Sequence, residues 1–235
     1  MPINFCQREC GHEHIVIHFD QGPVFKIGQD QFDRLFLISA RAEGKERLLV
    51  CLNKADGKEL WTSVVPLAGH KKHKDNSFAS STPAVDADRV YAVFVSPQDH
   101  LVKAFDHAGK EKWSLNLGPF DSEHGHGASP LLYEGKLIVQ NDQIGEGSIV
   151  AIDVKSGKIA WKCPRRANEK ASFSSPCLLE RKGKAPELLT LSTSYGISSV
   201  DPRSGVLNWE ARVFDKRCVS SPVVAGDLVI GTCGE

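Results

Sequence analysis

Histidine, lysine and arginine gather in four polar stretches of this 235-residue chain: His70-Lys71-Lys72-His73-Lys74, His124-Gly125-His126, Arg165-Arg166 and Lys216-Arg217. Cationic and imidazole groups set side by side grip anions, sugars or acidic protein segments through charge-assisted hydrogen bonds. Asn141 and Asp142 add an amide and a carboxylate to the set. Two positions apart, His124 and His126 would share one side of an extended chain, which suits a metal. No third ligand can be placed beside them, so a structural or hydrogen-bonding role is expected, and no metal. Cys6-x3-Cys10-x-His12-x-His14 also has zinc-ligand types. Its spacing matches no zinc knuckle, and the stretch reads as an ordinary leader. Gly-x-Ser-x-Gly, His-Glu-x-x-His and the phosphate-binding loop are all missing from the sequence. No catalytic residue is assigned.

Composition narrows the classes further. Lys plus Arg equals Asp plus Glu, 29 against 29, so no net field draws the chain to nucleic acid or an anionic membrane. The longest apolar runs are strand-sized, well short of the ~20 residues of a membrane span. Met1 to Asp20 lacks the basic, apolar and cleavage regions of a signal peptide. Of seven cysteines, Cys51 and Cys177 fall in strand-like runs and read as small buried hydrophobes.

What must hold the polar stretches in place is a repeat. All four tryptophans, Trp61, Trp113, Trp161 and Trp209, occupy one slot, spaced by 52, 48 and 48 residues. Each follows Gly57, Gly109, Gly157 or Gly205 by four residues, and each Gly follows Asn53, Asp106, Asp153 or Asp201. Asx and Gly make a tight turn, Gly supplying positive φ and the Asx side chain accepting backbone hydrogen bonds in its own turn. Pro83, Pro130, Pro176 and Pro222, each after Ser or Thr, keep the same step. Strand-like runs flank every turn, giving four short strands per unit. Self-similarity at this period, with four strands per unit, means an all-β propeller.

The pattern Ala-x-Asp-x-x-x-Gly-x-x-x-Trp, as in Ala151 to Trp161, resembles the tryptophan-docking repeat of PQQ-type, quinoprotein-like β-propellers. The nearest resemblance is to the BamB-like "PQQ-binding-like repeat" proteins, over roughly residues 22–235. It implies four-stranded antiparallel blades with the tryptophans stacked between them. It also implies export to the periplasm or cell surface, against which stands the missing signal peptide; the compartment stays open.

Blades are expected at about 22–66, 80–117, 128–163 and 174–213, with a partial fifth at 220–235. That makes four to five blades where such propellers usually have seven or eight, so the chain is expected to be a partial ring. Self-association is one way to close it. Residues 1–21 form an N-terminal segment in which His14 to Phe19 can supply a blade-completing strand. The blade-to-blade links, and the loops between second and third strands, are expected on one face. They would bring Lys71, His73, Lys74, His124, His126, Asn141, Asp142, Arg165, Arg166, Lys216 and Arg217 around the channel mouth.

Three functions compete. The first is a non-catalytic scaffold that binds a protein or surface polymer at that mouth. The resemblance implies the second, a PQQ-dependent alcohol or sugar dehydrogenase or a degenerate relative. Such enzymes hold the quinone over a Trp with a calcium bound by Glu and Asn; Glu146 and Asn141 match in type only, so neither PQQ nor calcium is assigned. The third is a glycan or small-ligand sensor domain.

Overall fold

The computed structural model describes residues 33–74 and 76–234. The Cys6–His14 cluster, the His14–Phe19 run and the start of the blade expected at 22–66 lie outside the described residues. Strands dominate, and no helix occurs among the described residues.

The first sheet has three strands, β1 (Arg34–Arg41), β2 (Glu46–Asn53) and β3 (Glu59–Pro66). Three four-stranded antiparallel sheets follow. One holds β4 (Ala84–Val85), β5 (Arg89–Val95), β6 (His100–Asp106) and β7 (Glu111–Asn116). The next holds β8 (Leu131–Tyr133), β9 (Lys136–Asn141), β10 (Gly145–Asp153) and β11 (Ile159–Asn168). The fourth holds β12 (Cys177–Leu179), β13 (Glu187–Ser192), β14 (Gly196–Val200) and β15 (Leu207–Ala211). A hairpin of β16 (Val223–Ala225) and β17 (Leu228–Ile230) begins a fifth. Neighbours in each sheet are consecutive in sequence, the meander of a propeller blade.

Alternation along the middle strands explains why the blades stack. In β5, Val90, Ala92 and Phe94 face the first sheet and pack with Ile38, Leu49 and Val65. Tyr91, Val93 and Val95 face the third and pack with Leu137, Val139, Val150 and Ile152. Side chains at i and i+2 share a face, so an unbroken apolar run serves two neighbours at once. The third seam repeats this with Ile138, Ile149 and Ala151 against Leu188 and Val200. Each fully buried Leu, Ile or Val contributes about 1.5–3 kcal/mol, so these seams dominate the cohesion between sheets.

The repeat elements pin the same seams. Trp61 Nε1 donates to the His107 carbonyl at 3.0 Å, Trp113 Nε1 to Val154 at 2.9 Å and Trp161 Nε1 to Pro202 at 3.1 Å. Each indole therefore reaches the hairpin turn of the following blade. It lies on that turn's glycine: a Cβ on Gly109, Gly157 or Gly205 would come within 2.5–2.8 Å of the ring. The series stops at both ends. Among the described residues nothing lies over Gly57, and Trp209 is 39% exposed and bonds Glu187 of its own sheet.

Turn chemistry follows the sequence expectation. Asn53, Asp106, Asp153 and Asp201 each accept a backbone N–H two or three residues on, from Ala55, Ala108, Ser156 and Arg203. At the inner ends of the blades the Pro markers reveal a further device. The N–H of Thr82 donates to Ser129 Oγ at 2.9 Å, that of Ser129 to Ser175 Oγ at 2.7 Å, and that of Ser175 to Ser221 Oγ at 3.0 Å. Pro cannot donate, so the residue before it carries the hydrogen bond that runs around the hub.

Candidate functional site

The links between blades and the loops between second and third strands bond to one another, so they occupy one face. Ile144 N–H donates to the Asp121 carbonyl and Asp121 N–H to Gln143 Oε1, both at 2.9 Å. Ser172 N–H donates to the Asp142 carbonyl, and Thr193 N–H to Ser172 Oγ. Phe173 N–H donates to the Cys218 carbonyl, whose own N–H reaches Thr193 Oγ1. Backbone tied this densely presents its side chains in fixed positions.

His73 and His124 meet across two links, ring centroids 5.2 Å apart and nearly perpendicular. The His73 N–H donates to the His124 carbonyl, which also accepts from Asn76 Nδ2. Burial and the nearby Arg217 guanidinium hold His124 below its ordinary pKa. Arg217 is itself paired with Glu123. Lys71, Lys74 and Lys216 are exposed on these links. A depression of about 320 Å³ opens beside Lys71, lined also by His70, Pro97, Phe120, Asp121 and Glu123.

Four of the residues singled out from the sequence are placed differently, on a strand or buried. Arg165 and Arg166 belong to the outer strand β11, not to a link. The strand runs on through Pro164 because an outer-edge position needs no ladder N–H from proline. Alternation then turns Arg165 inward and Arg166 outward. Arg165 is 8% exposed, pairs with Glu210 at 3.2 Å, donates to Ser198 Oγ and stacks 3.7 Å over the Tyr195 ring. Arg166 takes the other Glu210 oxygen at 2.9 Å. Asn141 ends β9 and, like Asp142, is buried rather than presented. Asp142 Oδ1 accepts from Asn168 Nδ2, and burial pushes its carboxyl above the ordinary range.

His126 also points inward. Its Nε2 is shut off from solvent, and its ring packs edge-on against His100 and Phe120, at 5.7 and 5.5 Å between centroids. Burial drives His100 down to about 4 and His126 to about 3, so both are neutral near pH 7. His100 and Asn168, both buried, and Glu210, partly buried, are among the polar residues that sequence spacing alone passed over. Their signal would have been period-two alternation carried through the strand ends.

The quinone chemistry implied by the resemblance can be tested on these residues. All four Trp lie on the outer strands β3, β7, β11 and β15, three of them engaged with the next blade's turn. None is left to floor a quinone near the hub. Asn141 is buried while Glu146 is exposed, and no group of three His, Cys, Asp or Glu converges on a metal position among the described residues. The described residues do not fit PQQ with calcium.

Known proteins agree with this architecture. The tetrathionate hydrolase of Acidithiobacillus ferrooxidans is 26% identical over 192 residues, covering 77% of this chain and 36% of that protein. A polyvinylalcohol dehydrogenase from Pseudomonas sp is 27% identical over 202 residues, covering 79% of this chain and 29% of that one. The chain thus spans about a third of these relatives. BamB from Moraxella catarrhalis superposes with a TM-score of 0.53 at 15% identity, over 83% of this chain and 54% of that one. A europium-containing methanol dehydrogenase gives 0.59 at 10% identity, over 80% and 42%. These two likenesses speak for the fold alone. The family described as outer membrane protein assembly factor BamB matches residues 32–233, nearly the whole described chain, and this protein belongs to that PQQ-like β-propeller family.

Proposed function

We propose that the chain is a non-catalytic propeller domain that binds a protein or surface polymer through its loop face. One observation carries the reading. Of the polar residues singled out from the sequence, Asp142 is tied to Asn168 and Arg165 to Glu210 within the fold. Lys71 and His70 line the depression beside the carboxylates Asp121 and Glu123, and His73, Lys74 and Lys216 are exposed on the hydrogen-bonded links. Such a surface suits a partner segment that sets an acidic side chain beside an apolar one. The apolar group would enter against Pro97 and Phe120 while the carboxylate meets a lysine. A photo-crosslinking residue placed at Lys71 should capture one discrete partner, whereas the same residue at Lys158, in an outer turn, should not. Equal labelling from both positions would defeat the reading.

A quinoprotein oxidoreductase is the second reading, favoured by the polyvinylalcohol dehydrogenase relative. Titration with PQQ and calcium, followed by dye-linked alcohol oxidation, separates the two. Turnover would establish it, and silence with full occupancy by PQQ would remove it.

A further inference from the structure

Two thiols at the end of the chain stand opposite one another. The Gly234 N–H donates to the Arg217 carbonyl at 2.9 Å, and Ser220 Oγ bonds the Thr232 carbonyl at 2.9 Å. These cross-links bracket Cys218 and Cys233 between two antiparallel segments. Cys218 and Cys233 each adjoin a partner of the 217–234 bond, and Cys233 lies near enough to act on the Cys218 thiol. Each sulfur also lies by the same short turn, Cys218 Sγ 4.0 Å from the Lys216 carbonyl and Cys233 Sγ 3.9 Å from Asp215 Oδ1. Both thiols are free in this structure.

We propose that Cys218 and Cys233 are a dithiol that closes to a disulfide under oxidising conditions and clamps the β16–β17 hairpin to the link ahead of it. Cys233, partly exposed, is the entry point; Cys218 is buried. With glutathione disulfide as oxidant, the Cys233 thiolate attacks one glutathione sulfur and releases one glutathione thiolate. Cys218 then gives its proton to solvent and attacks Cys233 Sγ, displacing the second glutathione thiolate. Two protons and two electrons leave the protein and one S–S bond remains. Burial pushes the Cys218 thiol up to about 12, so the second step is slow near neutrality and gains about tenfold per pH unit. The closed loop encloses the whole hairpin, whose Val223, Leu228 and Ile230 are exposed and hold it by few contacts.

The test uses the full chain. No Lys or Arg follows Arg217, so trypsin releases both cysteines in the single peptide Cys218–Glu235. After incubation with glutathione disulfide at pH 8, then alkylation in denaturant, that peptide should be two hydrogens lighter and carry no alkyl group. Amide exchange across 228–230 should slow in the oxidised protein. In Cys233→Ser, Cys218 should take one alkyl group. Two alkyl groups on the wild-type peptide, a glutathione adduct at Cys233 that persists at pH 9, or a bond from Cys218 to another cysteine would overturn the pairing. Unchanged exchange across the hairpin would overturn the clamp.

Discussion

Trp61 lies flat enough on Gly109 that a Cβ added to the glycine would sit 2.8 Å from the indole. The same relation joins Trp113 to Gly157 and Trp161 to Gly205, while no described residue lies over Gly57. All four glycines have positive φ, between 69° and 86°. Alanine at Gly109, Gly157 or Gly205 should therefore pay twice, for backbone strain and for displacing a ring. A loss of about 2–3 kcal/mol is expected at these three, against about 1 kcal/mol for Gly57→Ala, where only strain applies. Urea unfolding of the four variants checks the contrast; equal losses would refute the seam.

Truncation of the indoles should follow the same order. Trp161→Ala removes a docked ring and leaves the Pro202 carbonyl without its donor. About 3 kcal/mol is expected. Trp209, 39% exposed, should lose about 1 kcal/mol or less on the same change. Equilibrium denaturation monitored by far-UV circular dichroism measures both.

Acid should weaken the protein through its buried imidazoles. His100 and His126 sit near 4 and 3 when folded and near the ordinary 6.5 when unfolded, so below about pH 6.5 the unfolded chain binds more protons. Their contribution is full above pH 6.5 and is lost as pH falls toward 4 and 3. Two such sites give a slope of up to about 2.7 kcal/mol per pH unit in that window. Asp142, raised by burial, works in the opposite direction at the acid end. Stability measured at pH 7, 6 and 5 should fall steeply in the wild type and about half as steeply in His126→Phe.

Arg165 and Arg166 are adjacent and should behave differently. Arg165→Ala leaves Glu210 without its buried partner and strips the stack on Tyr195, a loss of about 3 kcal/mol. Arg166 is exposed, and its removal should cost no more than about 0.5 kcal/mol. Thermal melts of the two single variants decide. Binding tests on the loop face should accordingly combine Lys71 with Lys216 and spare Arg165.

The blade architecture was legible because it rests on residues that have one job. Gly at positive φ, Asx in its turn and Trp in its slot each leave a mark at fixed spacing, and the sheets follow. Positions that depend on where a strand stops were not legible. Arg165 reads as a charged loop residue until β11 is seen to continue to Asn168, when alternation turns it inward. His100 and Tyr195 fared likewise: both look like loop residues in the sequence, yet neighbouring blades cover them completely. Burial of that kind is created by the next unit along, which local spacing does not describe. The serine rungs at the hub hid for the same reason, since their partners lie 46 or 47 residues away.

At the three docked seams the indole of one blade rests on the glycine of its successor, never the reverse, which gives each of them a direction. An edge that offers a ring has no receptor for another ring, and an edge that offers a bare glycine has nothing to give its like. Two blades meeting through such edges can only stack in the same sense around a common axis, like treads of a spiral stair. A twofold pair joined ring to ring would have no contact to build on.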